Sequence, residues 1–458
     1  MCNEKGMTER EDITTNLITA ARRIVVAVAV VLLAACKGDE EPAATLVVQP
    51  QAVGFGAYVN RNTTRGGHQG SLTLEALKNG NVGFGVYAFY TDNHAYNQLS
   101  LANFMYNQQV TWQTDAWTYS PVKYWPNETG KNAISSTIDY VSFFAYAPYT
   151  AVDDVTGCAL SNPTTGITAL SRAIDTGDPI VRYYAAMKPD EAVDLCWAAP
   201  HLNETKPDNV NDKVEFNFRH ALAALNVQID ADIDVVSHAA SSLDDNTRIW
   251  VRSITFRGFA DRGQLNLNNS RNLPRWNNLD CDCDLTSQPV TIYDGRRDGC
   301  EGVASSLNEQ KQGLNPVIVQ SGAYTTDPSF ASTTDGVTNT QVNLFDVSGM
   351  TSATDEQKRL APIYVIPTNE AMRVTIVYDV ETYDPKLTSQ YLSDGRTHGS
   401  TIENSISAYI TDGSGRITMQ AGKQYNINIH LGMVSVKVDA SVTAWAEGAT
   451  AEVDLPEN

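Results

Sequence analysis

Apolar and polar residues alternate with a period of two along most of the chain beyond residue 50, and that period belongs to strands half-buried against a core. Val53, Phe55, Ala57 and Val59 form a short first row. Val82, Phe84, Val86, Ala88 and Tyr90 form a second, and Val141, Phe143, Ala145 and Ala147 a third. Val214, Phe216 and Phe218 alternate with charged and amide side chains. The row resumes at Leu225, Val227 and Ile229, after an alanine-rich stretch from His220 to Ala224 that predicts a short helical turn. Further strands are predicted from Arg248 to Phe256, Ile363 to Ile366, Met372 to Val380 and Tyr425 to Leu431. The last long row is Val434, Val436, Val438, Ala440, Val442 and Ala444. From Gly263 to Glu356, Asn, Asp, Gly and Thr dominate and apolar runs are short, which predicts long loops. The count, roughly six or seven strands per half with almost no helix, predicts an all-β protein of two antiparallel β-sandwiches in tandem. The polar stretch from Ser237 to Thr247 places their boundary, giving domains over 37–240 and 241–458.

The first 36 residues break this pattern. Arg22 and Arg23 precede a twelve-residue apolar run from Ile24 to Ala35. That is shorter than the ~20 residues a spanning helix needs, so the run reads as the core of a signal peptide. It ends Leu33-Ala34-Ala35-Cys36, similar to the lipobox at which a bacterial lipoprotein is cut and its new N-terminal cysteine acylated. Cys36 is therefore the expected lipidation (palmitate) site, and several acyl chains there give durable anchoring. Lys37-Gly38-Asp39-Glu40-Glu41 follows, read either as a tag for surface export or as a solvated tether.

Charge narrows the partners. Thirty-three Lys and Arg against 53 Asp and Glu leave a net charge of -20 in 458 residues, which repels phosphate backbones and excludes nucleic acid as a partner. The sequence carries no GxSxG, HExxH or Walker loop, and its seven histidines are dispersed, so no enzymatic activity and no cofactor are expected. Beyond Cys36 there are five cysteines, an odd number. Cys158 and Cys196 share one predicted domain and are the preferred disulfide, while either Cys281 or Cys283 can close a loop to Cys300. Cys281-Asp282-Cys283 lacks a nearby histidine, and Leu285 and Thr291 stand where a calcium loop needs Gly and Glu, so no metal site is expected. Trp112, Trp117, Tyr119, Tyr124 and Trp125 form an aromatic-rich stretch suited to stacking a sugar, or to core packing, which is the commoner use in a sandwich.

Five motifs in order carry a family resemblance. They run from Tyr119 to Pro126 (YSPVKYWP), Val141 to Pro148 (VSFFAYAP), Phe216 to Val227 (FNFRHALAALNV), Ile363 to Pro367 (IYVIP) and Gln424 to Leu431 (QYNINIHL). With the lipobox, this order resembles the fimbrillin family of type V pilins, from about Val47 to Trp445, with the stretch from Gly263 to Glu356 poorly matched. The resemblance implies two transthyretin-like β-sandwiches and an outer-membrane lipoprotein at the cell surface. It also implies a structural subunit of a fimbrium that supports cell adhesion. Its partners would be a trypsin-like processing protease that cuts after an arginine, the outer membrane, and other fimbrial subunits. One of these supplies a C-terminal strand to the groove left by the departing first strand.

The sequence offers parts for each role. Val53, Phe55, Ala57 and Val59 are the displaced strand, and Arg65, before Gly66-Gly67, is the preferred cut, with Arg61 the second. Val434, Val436, Val438, Ala440, Val442 and Ala444 are the donor strand, whose alternate side chains would fill pockets while its backbone adds to the sheet. The alternative class is a non-polymerising surface lipoprotein, either a fimbrial anchor or a module that binds a host glycan or host protein.

Overall fold

The computed structural model describes residues 50–59, 71–126, 139–231, 247–269, 273–279, 283–294, 318–320, 342–384, 386–387, 399–412, 415–431 and 436–444. Among them strands dominate, as the period of two predicts. In chain order they begin with β1 (Phe55–Val59), β2 (Phe84–Asp92), β3 (Met105–Gln113), β4 (Ala116–Thr118), β5 (Tyr140–Ala147) and β6 (Gly166–Leu170). Then come β7 (Ile180–Tyr184), β8 (Cys196–Ala198), β9 (His201–Glu204), β10 (Val214–His220), β11 (Ala223–Ala231) and β12 (Thr247–Arg257). β13 (Phe259–Ala260), β14 (Arg262–Asn266), β15 (Arg275–Asn277), β16 (Val290–Asp294), β17 (Ile318–Gln320) and β18 (Val342–Asn343) follow. The last are β19 (Ile363–Pro367), β20 (Arg373–Tyr383), β21 (Gly399–Tyr409), β22 (Lys423–Leu431) and β23 (Val436–Ala444). Two short helices accompany them, α1 (Leu74–Lys78) and α2 (Asp355–Arg359), each started by a threonine side chain that caps a free backbone N–H.

The strands form four sheets. The first runs β1-β10-β8-β5-β2-β3-β4, with β9 also on β5. The second runs β13-β19-β11-β22-β23, the third β16-β12-β20-β21, and the fourth β15-β14-β7-β6. Both faces of the first sheet are covered. Phe84, Val86, Ala88, Val141, Phe143, Ala145, Phe216 and Phe218 face one core, which α1 helps to close with Leu77. Tyr87, Phe89, Phe144, Tyr146 and Trp197 face the other, where Val181, Tyr183 and Leu265 of the fourth sheet meet them. This double coverage is why β5 is buried from Val141 to Ala147 without interruption. The same second core continues through Leu225, Val227 and Ile229 of β11 to Ile254, Phe256, Val374 and Ile376 of the third sheet.

Two local expectations change. The stretch from His220 to Ala224 is not a helical turn: His220 ends β10, and Ala223 already begins β11 after a bend at Ala221 and Leu222. Helix propensity there is weaker than the pairing it would forfeit, since Ala223, Ala224 and Leu225 lie opposite Val365, Tyr364 and Ile363. The stretch from Gly263 to Glu356 holds the short strands β14 to β18 alongside its loops. Sheet membership also crosses residue 240 in both directions. β11 joins β19, β22 and β23, while β14 returns to pair with β7.

Candidate assembly site

β1 is the first strand of its sheet and lies parallel to β10, with Phe55 opposite Val214, Ala57 opposite Phe216 and Val59 opposite Phe218. The predicted row Val53, Phe55, Ala57 and Val59 is buried, at 2%, 1%, 5% and 8% exposure. Phe55 sits at the centre, 5.8 Å from the Phe216 ring and in edge contact with Phe84 and Phe143. Burying a Val- or Phe-sized side chain contributes about 1.5–3 kcal/mol, so Val53, Phe55 and Val59 anchor β1 mainly by apolar contact.

The strand is also held from its other side. The Val53 N–H donates to the Lys123 carbonyl (2.9 Å), and the Trp125 N–H donates to the Gln51 carbonyl (2.9 Å). Tyr119 Oη donates to the Val53 carbonyl (2.8 Å), and burial pushes this phenol above its ordinary pKa. Sequence reasoning took this segment as a mark of the family and as aromatic core, and missed it as a strap over the start of β1. Its signal was the dense Tyr/Trp/Pro spacing, which does not say what the segment covers.

β1 differs from its counterpart in the second sheet. β11 also runs parallel to a later strand, β22, in an eight-residue register, but β19 and β18 pair along its other edge. Taking β11 away would split a sheet. Taking β1 away would uncover one edge of β10 and a lane of apolar side chains including Phe84, Phe143 and Phe216.

The donor row lies in β23, the last strand of the second sheet, antiparallel to β22 with Val438 opposite Ile429, Ala440 opposite Ile427 and Val442 opposite Tyr425. Val436 and Ala444 end the same register opposite Leu431 and Lys423. Ala440 is buried, and Val438 and Val442 pack against the core beside it. β1 and β23 stand in different sheets, so the structure does not bring them together. Cys36, Arg61, Arg65 and Val434 lie outside the described residues, as do Cys281 and Cys300.

The expected Cys158–Cys196 disulfide is corrected: both are free thiols. Cys196 is buried on β8 within the core beneath β1, whereas Cys158 is exposed and bridges Ala169 of β6 in the fourth sheet. The core between the first and fourth sheets separates the two faces, and shared domain membership says nothing about that distance. Cys283 is disulfide-bonded. The aromatic stretch is mostly core: Trp117 and Trp125 are buried, Trp112 carries the Lys78 ammonium 3.9 Å above its ring, and Tyr124 is exposed.

The fimbrillin-like family pattern matches residues 73–286. The chain is 26% identical over 213 residues to the fimbrium subunit Fim1C of Phocaeicola vulgatus, a match covering 44% of this chain and 48% of that protein. The chain thus spans about half the length of this curated relative. A fimbrial protein from Bacteroides vulgatus has a crystal structure related to this one at a TM-score of 0.46 and 19% identity, over 86% of this chain and 100% of that one. Residues 73–286 thus carry the fimbrillin-like family pattern, and the chain is similar over part of its length to a fimbrium subunit.

Proposed function

We propose that the chain is a structural subunit of a cell-surface fimbrium that is exported as a lipoprotein on Cys36 and assembles by strand exchange. A protease cuts after Arg65, or after Arg61, and β1 leaves with the lipidated N-terminus. The C-terminal strand of another subunit, the equivalent of Val434 to Ala444, then enters the vacated lane beside β10. The observation that carries this reading is β1 itself: a five-residue edge strand whose alternate side chains fill a core that stays walled by β10, β5 and β2 when it departs. An incoming strand with apolar residues at every second position meets the same lane, and its backbone finds the edge of β10. The partners on this reading are other fimbrial subunits, the processing protease and, before cutting, the outer membrane. We also infer two tandem transthyretin-like sandwiches, supported by the repeated parallel pairing of an early strand with a late one, β1 with β10 and β11 with β22.

The test is the N-terminal sequence and mass of the protein recovered from intact cells. A start at Gly66 without lipid, in SDS-resistant polymers, supports the reading. A start at acylated Cys36 in every molecule, with no polymer, overturns it in favour of a tethered anchor.

A further inference from the structure

We propose that Asp194, Cys196 and His220 form a buried site for one divalent metal ion of the zinc class. The three residues are brought together by strand geometry. Asp194 and Cys196 are two apart in an extended segment and so share a face, and His220 lies directly opposite Cys196 in the β8–β10 register. His220 Nδ1 is 2.9 Å from Asp194 Oδ2 and 3.6 Å from Cys196 Sγ, and Asp194 Oδ1 is 4.0 Å from the same sulfur. Donor atoms about 2.0–2.3 Å from a tetrahedral ion stand roughly 3.3–3.6 Å from one another, so small side-chain adjustments admit an ion between them.

The donor set selects the metal. A thiolate and an imidazole beside a carboxylate suit zinc or cobalt, whereas calcium and magnesium take oxygen donors. One Asp194 oxygen, His220 Nδ1 and Cys196 Sγ supply three donors, and a small fourth ligand such as water would complete the tetrahedron. Charge also balances: one carboxylate and one thiolate neutralise a divalent cation, which a site this buried requires. On binding, the metal–sulfur bond forms as the Cys196 proton leaves to solvent, and the metal–nitrogen bond forms as the proton shared by His220 Nδ1 and Asp194 leaves Nδ1 while Nε2 carries the ring's remaining proton. The Leu72 N–H donates to Asp194 Oδ2 (2.7 Å), which fixes the carboxylate from outside the ligand set. The ion would thus tie β8, β10 and the chain just before α1 at one point. This site stands whether or not β1 is ever removed.

The experiment is refolding of the full chain with cobalt(II) alone under anaerobic conditions, then with zinc(II) alone, followed by removal of loose metal. The expected result is one ion per chain, a thiolate-to-cobalt charge-transfer absorption, and a higher melting temperature with zinc than without. Cys196→Ser and Asp194→Asn, both near-isosteric, keep the strand circular dichroism and lose the absorption. Folded wild-type protein with no such absorption overturns the site. So does an absorption that survives in Cys196→Ser, which assigns the ion to other thiols.

Discussion

Phe55 of β1 stacks on Phe216 of β10, with ring centroids 5.8 Å apart and planes inclined by 23°. The two rings come from parallel strands and lie 161 residues apart in sequence, in neighbouring register positions, since Phe55 lies opposite Val214 and Phe216 opposite Ala57. This contact decides how firmly the first strand is seated, because Phe55 also touches Phe84, Phe143 and Tyr119. Phe55→Ala in the uncut chain is expected to lower unfolding stability by about 3–5 kcal/mol. Denaturant unfolding of that variant checks it, and a loss under about 1 kcal/mol would mean that β1 is not packed as described.

Tyr119→Phe removes the hydroxyl that links the strap to the Val53 carbonyl. The expected cost is about 0.5–1.5 kcal/mol, felt locally at the start of β1. Amide exchange at Val53, whose N–H donates to Lys123, should quicken while exchange in β5 stays unchanged.

Asn226 is buried on β11, where its amide donates to the carbonyls of Arg359 (3.1 Å) and Ala361 (3.0 Å) and accepts from Gln228 (2.6 Å). Asn226→Ala leaves those groups short of a partner and is expected to cost about 1–3 kcal/mol, with no effect on β1. Thermal melting checks the loss. Unchanged exchange at Val53 checks its location.

Thiol chemistry should divide the two free cysteines. Cys158 is exposed and Cys196 buried, and burial pushes the Cys196 thiol well above its ordinary pKa. Cys158 is expected to react with a thiol reagent in the native protein and Cys196 only after unfolding. Mass spectrometry of labelled peptides reads the difference, and equal labelling under native conditions would contradict the buried placement.

Alkaline pH should loosen the fold. Burial, with help from the nearby carboxylates Asp154, Asp175 and Asp153, pushes the Tyr106 phenol up to about 12 from the ordinary 10.0. Burial raises Tyr87, Tyr146, Tyr183 and Tyr364 in the same direction. The folded state therefore keeps protons that the unfolded state releases above pH 10, so this stability is complete below 10 and is lost as pH rises through 12. Unfolding free energy measured from pH 8 to 12 should be level and then fall, and a flat profile would contradict the shifts.

Much of this architecture was legible in single rows of residues. The alternation of Val53, Phe55, Ala57 and Val59 marked β1 and its buried face, and Val438, Ala440 and Val442 marked the inner face of β23. The errors fell where the answer depends on neighbours distant in sequence. Cys158 and Cys196 looked like partners and lie against different sheets, and the stretch from His220 to Ala224 looked helical although two strands meet there. Asp194 and His220, 26 positions apart, meet in a buried 2.9 Å hydrogen bond that no spacing rule would have found.

The amino-acid sequence by itself determined that this is a β protein and which side of most strands faces inward, because a period of two divides a strand's side chains between two faces whatever lies beside it. It did not determine which strands become neighbours. Only the tertiary structure decided that β1 ends a sheet while β11 sits inside one, that residues 119 to 125 strap the first strand, and that Asp194, Cys196 and His220 meet. Those relationships arise from hydrogen bonding and packing between segments far apart along the chain, and backbone ladders pair any two strands of suitable pattern, so local sequence leaves the choice to the core as a whole.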